Sequence, residues 1–314
     1  MKSNKIIAAV IPCYKVSKLI KEVLLSLPEF IDYIIIVDDA CPENSGNVAN
    51  SLHLDKMYLI CHKENKGVGG AVISGFEKAI ELNSDIVVKL DGDGQMDPNN
   101  IAKLIQPIID NKADYTKGNR FNNFKALKNM PKIRLLGNSV LSFAIKAASG
   151  YWNIMDPTNG FCAISSQTLH DFDLDKIEKR FFFETDMLLN LNVMNKVVQD
   201  VSISTIYKNE ISNLNVGNTI LTFPLKIAKG LIKRIFLKYY IYNFNMASIY
   251  LLISIPLLLF GFILGVYKWR IGIIEDVANN PGTIMLVALP IILGIQFLLQ
   301  AISIDISNIP KKDI

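Results

Sequence analysis

The sequence predicts an α/β domain on a mostly parallel sheet, followed by a basic amphipathic segment and a two-helix membrane hairpin. Three observations lead there. Short apolar runs alternate with helical patterns through residues 6–90, acidic residues collect where those runs end, and two long stretches, residues 239–267 and 277–304, carry no charge.

Residues 6–11 read as the first strand, ending at Pro12. Residues 16–27 have helical spacing and stop at Pro28. Residues 33–37 form the second strand and end in Asp38-Asp39, residues 57–61 the third, residues 70–82 a helix, and residues 86–90 the fourth strand. Strands alternating with helices argue for a parallel sheet covered on both faces. Ligands of such sheets gather beyond the carboxyl ends of the strands, where Pro12, Asp38-Asp39 and Asp91-Gly-Asp93 fall. Further on, Asp156-Pro-Thr-Asn159-Gly160-Phe161 is a turn-rich loop, and a helical pattern opens at Phe181 and runs through Leu188, Leu191 and Met194. Glu184 and Asp186 at its start have a structural role open to them as partners of the helix dipole.

The chain of 314 residues is long enough for one sizeable core and an additional module. Each uncharged stretch holds a run of about 20 mostly apolar residues, the length that crosses a bilayer as a helix. The spans are placed at residues 247–267 and 283–303, joined through Asn279-Asn280-Pro281-Gly282. Before the first come Lys226, Lys229, Lys233, Arg234 and Lys238, and after the second Lys311 and Lys312. Basic flanks stay on the cytoplasmic side, so both ends of the hairpin and the domain before it are expected in the cytoplasm. Residues 225–240 put Lys226, Lys229, Lys233 and Arg234 on one helix face and Ala228, Ile232, Ile235 and Tyr239 on the other, a pattern suited to an anionic membrane surface. The expected organisation is a domain over residues 1–220, the amphipathic segment over 221–246, and the hairpin with its short tail over 247–314.

The net charge of +4 is modest, and no nucleic-acid partner is expected. Cys13, Cys41, Cys61 and Cys162 show no C-x-x-C spacing, which leaves zinc and redox pairs without support. His53, His62 and His170 are scattered, as for core or surface roles. The run at 6–11 is too short for a signal peptide.

Asp91-Gly-Asp93-Gly-Gln95 follows a buried-strand pattern, and two carboxylates one residue apart there can reach one hard cation, with Gln95 as a third oxygen ligand. Asp171-Phe-Asp173 and Asp173-Leu-Asp175 have the same spacing but lie in a polar stretch with no strand before them, and read as solvated surface. Gly67-Val-Gly-Gly70 fails the dinucleotide fingerprint because Val72 stands at its third glycine, so it reads as a tight turn into a helix.

Taken in order, Val10-Ile-Pro12-Cys-Tyr14, Val37-Asp38-Asp39-Ala40, Asn65-Lys-Gly67, Asp91-Gly-Asp93-Gly-Gln95, Gly118-Asn-Arg120, Asp156-Pro-Thr-Asn-Gly160-Phe161 and Glu184-Thr-Asp186 resemble the family-2 glycosyltransferases of the GT-A nucleotide-sugar fold. More narrowly the chain resembles the polyprenyl-phosphate glycosyltransferases, the group of dolichyl-phosphate mannosyltransferase and bactoprenyl glucosyltransferase. The resemblance implies a metal-dependent, inverting hexosyltransferase that moves one sugar from a nucleotide-sugar donor to a polyprenyl phosphate. It would work at the cytoplasmic face of a membrane, a bacterial inner membrane being expected, in cell-envelope glycan synthesis. It places Pro12, Asp38, Asp39, Asn65, Gly67 and Asp91 at the nucleotide sugar, and Asp91, Asp93 and Gln95 on Mg²⁺ or Mn²⁺. Asp91, Asp93, Glu184 and Asp186 become the catalytic set, Arg120, Arg134 and Lys208 bind the acceptor phosphate, and Asp156, Asn159 and Gly160 form a substrate loop. Self-association into a homo-oligomer is also implied. One departure concerns the basic residue of a Ser-Lys-Leu segment, since Ser212-Asn213-Leu214 stands there and Lys208 upstream is its substitute. The Gln-x-x-Arg-Trp motif of processive synthases is absent, which favours a single transfer. Two other readings stay open: transfer to a hydroxyl of a lipid-linked saccharide, with Glu184 or Asp186 as base, and a non-catalytic nucleotide-sugar-binding membrane component.

Overall fold

The computed structural model describes residues 4–121, 132–203 and 216–312; Lys208, the 212–214 stretch and the side chain of Arg134 lie outside the described residues. The chain divides into two compact units, residues 1–234 with 310–314, and residues 235–309.

The first unit is built on a seven-stranded sheet: β1 (Ile7–Cys13), β2 (Tyr33–Asp38), β3 (Met57–Cys61), β4 (Ile86–Lys89), β5 (Tyr115–Asn119), β6 (Cys162–Ser165) and β7 (Val198–Ser202), in the order β3-β2-β1-β4-β6-β5-β7. β6 runs antiparallel to β4 and β5, and the remaining pairs are parallel. Successive strands leave β1 on both sides, which makes its carboxyl end the switch point where such sheets open a crevice. β1 is apolar throughout because both its faces are covered. Ala9 and Ile11 join a core with Ile20, Val23 and Leu24 of α1 (Ile20–Leu25) and Leu104 of α4 (Ile101–Ile109). On the other face Val10 meets Gly75 of α3 (Val68–Glu81). Further α-helices among the described residues of this part are α2 (Ser45–Asn50), α5 (Lys132–Ser149), α6 (Ser166–His170), α7 (Phe183–Val193) and α8 (Val216–Phe236).

Four strands fall where the sequence places them. The first helix is shorter than expected because residues 16–19 form a turn, in which the Val16 carbonyl accepts from both Leu19 and Ile20. β5, β6 and β7 have no counterpart among the expectations. β5 hides polar side chains by giving each a partner: Thr116 Oγ1 donates to the Leu104 carbonyl at 2.7 Å, and Lys117 Nζ to the Asn159 carbonyl at 2.6 Å.

α8 starts ahead of the expected amphipathic segment. Leu225, Ala228 and Ile232 are exposed along it beside exposed Lys229 and Lys233, as a surface helix of that kind requires. Arg234 corrects the expected basic face. It is only 2 % exposed, donating from Nε to the Ala148 carbonyl at 2.6 Å and from Nη2 to the Ala147 carbonyl at 3.1 Å. A cation on the last carbonyls of α5 satisfies acceptors that the helix itself cannot.

In the second unit, a π-helical stretch (Leu237–Tyr242) leads to α9 (Met246–Glu275) and α10 (Pro281–Ser307), both long and apolar enough to cross a membrane. Asn245 and Ser248 cap α9 reciprocally, and Asn280 caps α10 with Pro281 at its first position. Within this unit Lys238 Nζ donates to the Asn308 carbonyl at 3.3 Å, and Tyr239 Oη to Asp305 Oδ1 at 2.5 Å.

Candidate active site

The carboxyl ends of β1, β2 and β4 bring the expected acidic residues to one edge. In the register Cys13 lies beside Asp38 and Val10 beside Lys89. Burial pushes the Cys13 thiol above its usual range, and the charges of Asp38, Cys41 and Asp91 push the same way.

Asp38 spends both oxygens on its own loop, accepting from the Cys41 amide at 2.7 Å and the Gly46 amide at 2.6 Å. Asp39 is wrapped by the strap between β3 and α3. Its Oδ1 accepts from the Lys66 amide and its Oδ2 from the Gly67 amide, each at 2.8 Å, while Asn65 Nδ2 donates to its carbonyl at 3.1 Å. Gly67 has φ +88 and lies against the Lys179 carbonyl, so the turn needs a glycine.

Asp91 follows β4 on the strand face that carries Lys89. Lys89 is 1 % exposed, and its Nζ lies 2.8 Å from Asp91 Oδ1 and 3.5 Å from Glu184 Oε1 at the start of α7. Burial opposes its charge, but Asp91 and Glu184 outweigh that and hold its pKa above the usual lysine value. Gly160 covers the cluster so closely that an added Cβ would meet Lys89 Nζ and stand 3.1 Å from Asp91 Oδ2. The structure thus joins Asp91, Glu184 and Gly160 through a lysine that the sequence reading passed over. Asp186 is not part of this group. Two residues along a helix is more than half a turn, and Asp186 accepts from the Glu178 amide at 2.9 Å instead. Burial raises its pKa.

Asp93 sits half-buried on the turn after Asp91, and its Oδ1 accepts from the Gln95 amide at 3.0 Å; Gln95 itself is exposed. Among the described residues no three His, Cys, Asp or Glu side chains converge on a point that would hold a metal by themselves. A pair of carboxylates on one turn suits a hard cation that takes its remaining oxygens from water and a diphosphate. The similarly spaced Asp171, Asp173 and Asp175 are all exposed, as expected.

The rim is formed by β5 and the loop after α5. Fully buried Asp156 accepts from Arg120 Nε at 2.6 Å and Nη2 at 3.0 Å, a two-pronged pair that fixes the guanidinium plane. Asn159 is locked by Gly118, Lys117 and Phe161. Behind them, Asp200 Oδ2 accepts from the Met155 amide at 2.7 Å, whereas its buried Oδ1 has no hydrogen-bond partner among the described residues. Burial raises its pKa from 3.8 to about 6. The folded state therefore holds this proton more tightly than the unfolded chain, and the contribution to stability falls as pH rises through that window. Asp200→Asn is expected to gain stability relative to the parent between pH 4 and pH 7, measured by thermal unfolding across that range.

The comparisons with known proteins agree with this geometry. Residues 8–172 match the model of Glycosyl transferase family 2. The chain belongs to that family. The UDP-N-acetylglucosamine–dolichyl-phosphate N-acetylglucosaminyltransferase of Methanococcus voltae is 36 % identical over 220 residues, covering 65 % of this chain and 87 % of the relative. The undecaprenyl-phosphate mannosyltransferase of Micrococcus luteus is 30 % identical over 174 residues, covering 54 % of this glycosyltransferase and 70 % of its own length. Glucosyl-3-phosphoglycerate synthase of Mycobacterium tuberculosis, crystallised with Mn²⁺, UDP and phosphoglyceric acid, superposes with a TM-score of 0.55 at 15 % identity over 74 % of this chain and 79 % of that one. The first unit has the GT-A fold of these glycosyltransferases.

Proposed function

We propose that this glycosyltransferase moves one sugar from a nucleoside-diphosphate sugar to a polyprenyl phosphate at the cytoplasmic face of a membrane, inverting the anomeric centre. The observation that carries the reading is the joining of Asp91 to Glu184 across Lys89 in a chain that also has two apolar helices of 30 and 27 residues. Relatives named for dolichyl and undecaprenyl phosphate point to the same acceptor.

The nucleoside lies against Pro12, Asp39, Asn65 and Gly67, while Asp38 keeps the loop beside it closed. Asp91, Asp93 and Gln95 are the residues that would hold a divalent cation, Mg²⁺ or Mn²⁺, whose charge would offset that gathering on the departing diphosphate. Glu184, steadied by Lys89, orients the sugar under the Asn159-Gly160 loop. An acceptor phosphate is already anionic near neutral pH, so it needs positioning more than deprotonation. Arg120, aligned by Asp156, supplies that, with Arg134 and Lys208 as further phosphate contacts. Asp186 supports the segment around Glu178.

The test is transfer of radiolabelled sugar from a panel of nucleotide sugars by the purified full chain, with a polyprenyl phosphate as sole acceptor and Mn²⁺ or Mg²⁺ present. A labelled lipid is expected. Label transferred only when a lipid-linked saccharide is supplied would move the acceptor to a hydroxyl and give Glu184 the role of base.

A further inference from the structure

We propose that His62 and Ser74 form a buried relay that aims the carboxylate of Asp39 at the nucleoside of the donor. The inference rests on the nucleotide-sugar reading above and adds two positioning residues to it.

His62 directly follows β3, where its amide donates to the Asp38 carbonyl at 2.9 Å. Its ring is buried together with the side chain of Asp39, each only 4 % exposed. Nδ1 lies 2.7 Å from Asp39 Oδ1, and Nε2 lies 2.9 Å from Ser74 Oγ on α3. A carboxylate only accepts, so in the neutral imidazole the ring proton is on Nδ1, and Nε2 accepts from the Ser74 hydroxyl. The bonds run in one direction, from Ser74 to His62 to Asp39.

An acid, an imidazole and a hydroxyl in this order also describe a nucleophilic triad. The surroundings argue against that chemistry here. Ser74 lies inside α3, where backbone amides are spent on the helix, so no pair of donors is left to receive an oxyanion. Asp39 is committed as well, to the amides of Lys66 and Gly67.

Those two amides each hold one carboxylate oxygen. The imidazole adds a second bond to Oδ1, which reinforces the rotation about the Cβ–Cγ bond that the two amides set. A carboxylate accepts about four hydrogen bonds, so Oδ2 has room for one more donor, and the relay sets its direction. A base carrying an N–H is the ligand that this lone pair reads.

The test uses the purified full chain with Mn²⁺ and the diphosphates of uridine, guanosine, cytidine and adenosine, titrated by calorimetry, the tightest being carried forward. His62→Asn places an amide nitrogen near the position of Nδ1 and keeps the bond to Asp39. His62→Gln reaches toward Ser74 and loses the bond to Asp39. Loss of one charge-assisted bond predicts about a tenfold weaker nucleotide for Gln, with Asn within about threefold of the parent. Thermal unfolding of both variants checks folding. Should Gln fail to fold, Ser74→Ala leaves the ring in place without its anchor and is expected to weaken the nucleotide a few-fold. Equal losses in Asn and Gln, or parental affinity in Gln or in Ser74→Ala, would reduce the relay to packing. If the parent binds none of the four diphosphates, the donor reading falls and the relay falls with it.

Discussion

A Lys89→Met enzyme is expected to lose at least about a hundredfold in transfer rate and to fold less stably by about 3–5 kcal/mol, the cost of stripping one partner from a buried ion pair. The reason is geometric. Lys89 stands 2.8 Å from Asp91 and 3.5 Å from Glu184, so its removal leaves two carboxylates facing each other beneath Gly160. The two effects separate in a second variant. Lys89→Met with Glu184→Gln removes one of the two facing carboxylate charges, returns the cluster to its original net charge and is expected to recover part of the thermal stability while remaining inactive. Recovery of both properties would make the lysine a purely structural counter-ion.

Asp93→Asn is expected to lower the rate by about 10²–10³ with little change in thermal unfolding. Asparagine keeps the oxygen that accepts from the Gln95 amide, so the turn survives while the negative charge goes. Rate measured against Mn²⁺ concentration is the decisive experiment: the variant should need far more metal or fail to respond. An unchanged metal dependence would remove Asp93 from the cation site.

The sequence made legible those parts that hydrophobic burial builds. β1, β2 and β4 are largely buried apolar runs and β3 is a half-buried apolar edge strand, and their order puts Asp38, Asp39 and Asp91 at one edge. β5 was hidden because its polar side chains are satisfied singly, Thr116 by Leu104 and Lys117 by Asn159, and no periodicity reports such pairings. Lys89 left a trace, a lysine inside an otherwise apolar strand, whose meaning depends on Glu184, 95 positions away. The separation of Glu184 from Asp186 was readable in principle, since helical geometry turns residues two apart to different sides. His62 gave no signal, because its partners come from the end of β2 and the middle of α3. Arg234 was misread because helix periodicity ignores what a long side chain can reach.

That arginine also decides where the protein can be cut. A soluble fragment ending near residue 220 would discard the guanidinium that occupies the final carbonyls of α5, together with Lys226, which pairs with Glu178 at 2.8 Å. Truncation for crystallisation or solution assay should therefore retain the chain at least through Arg234, even though this keeps the greasy outer stripe of Leu225 and Ile232 and calls for detergent.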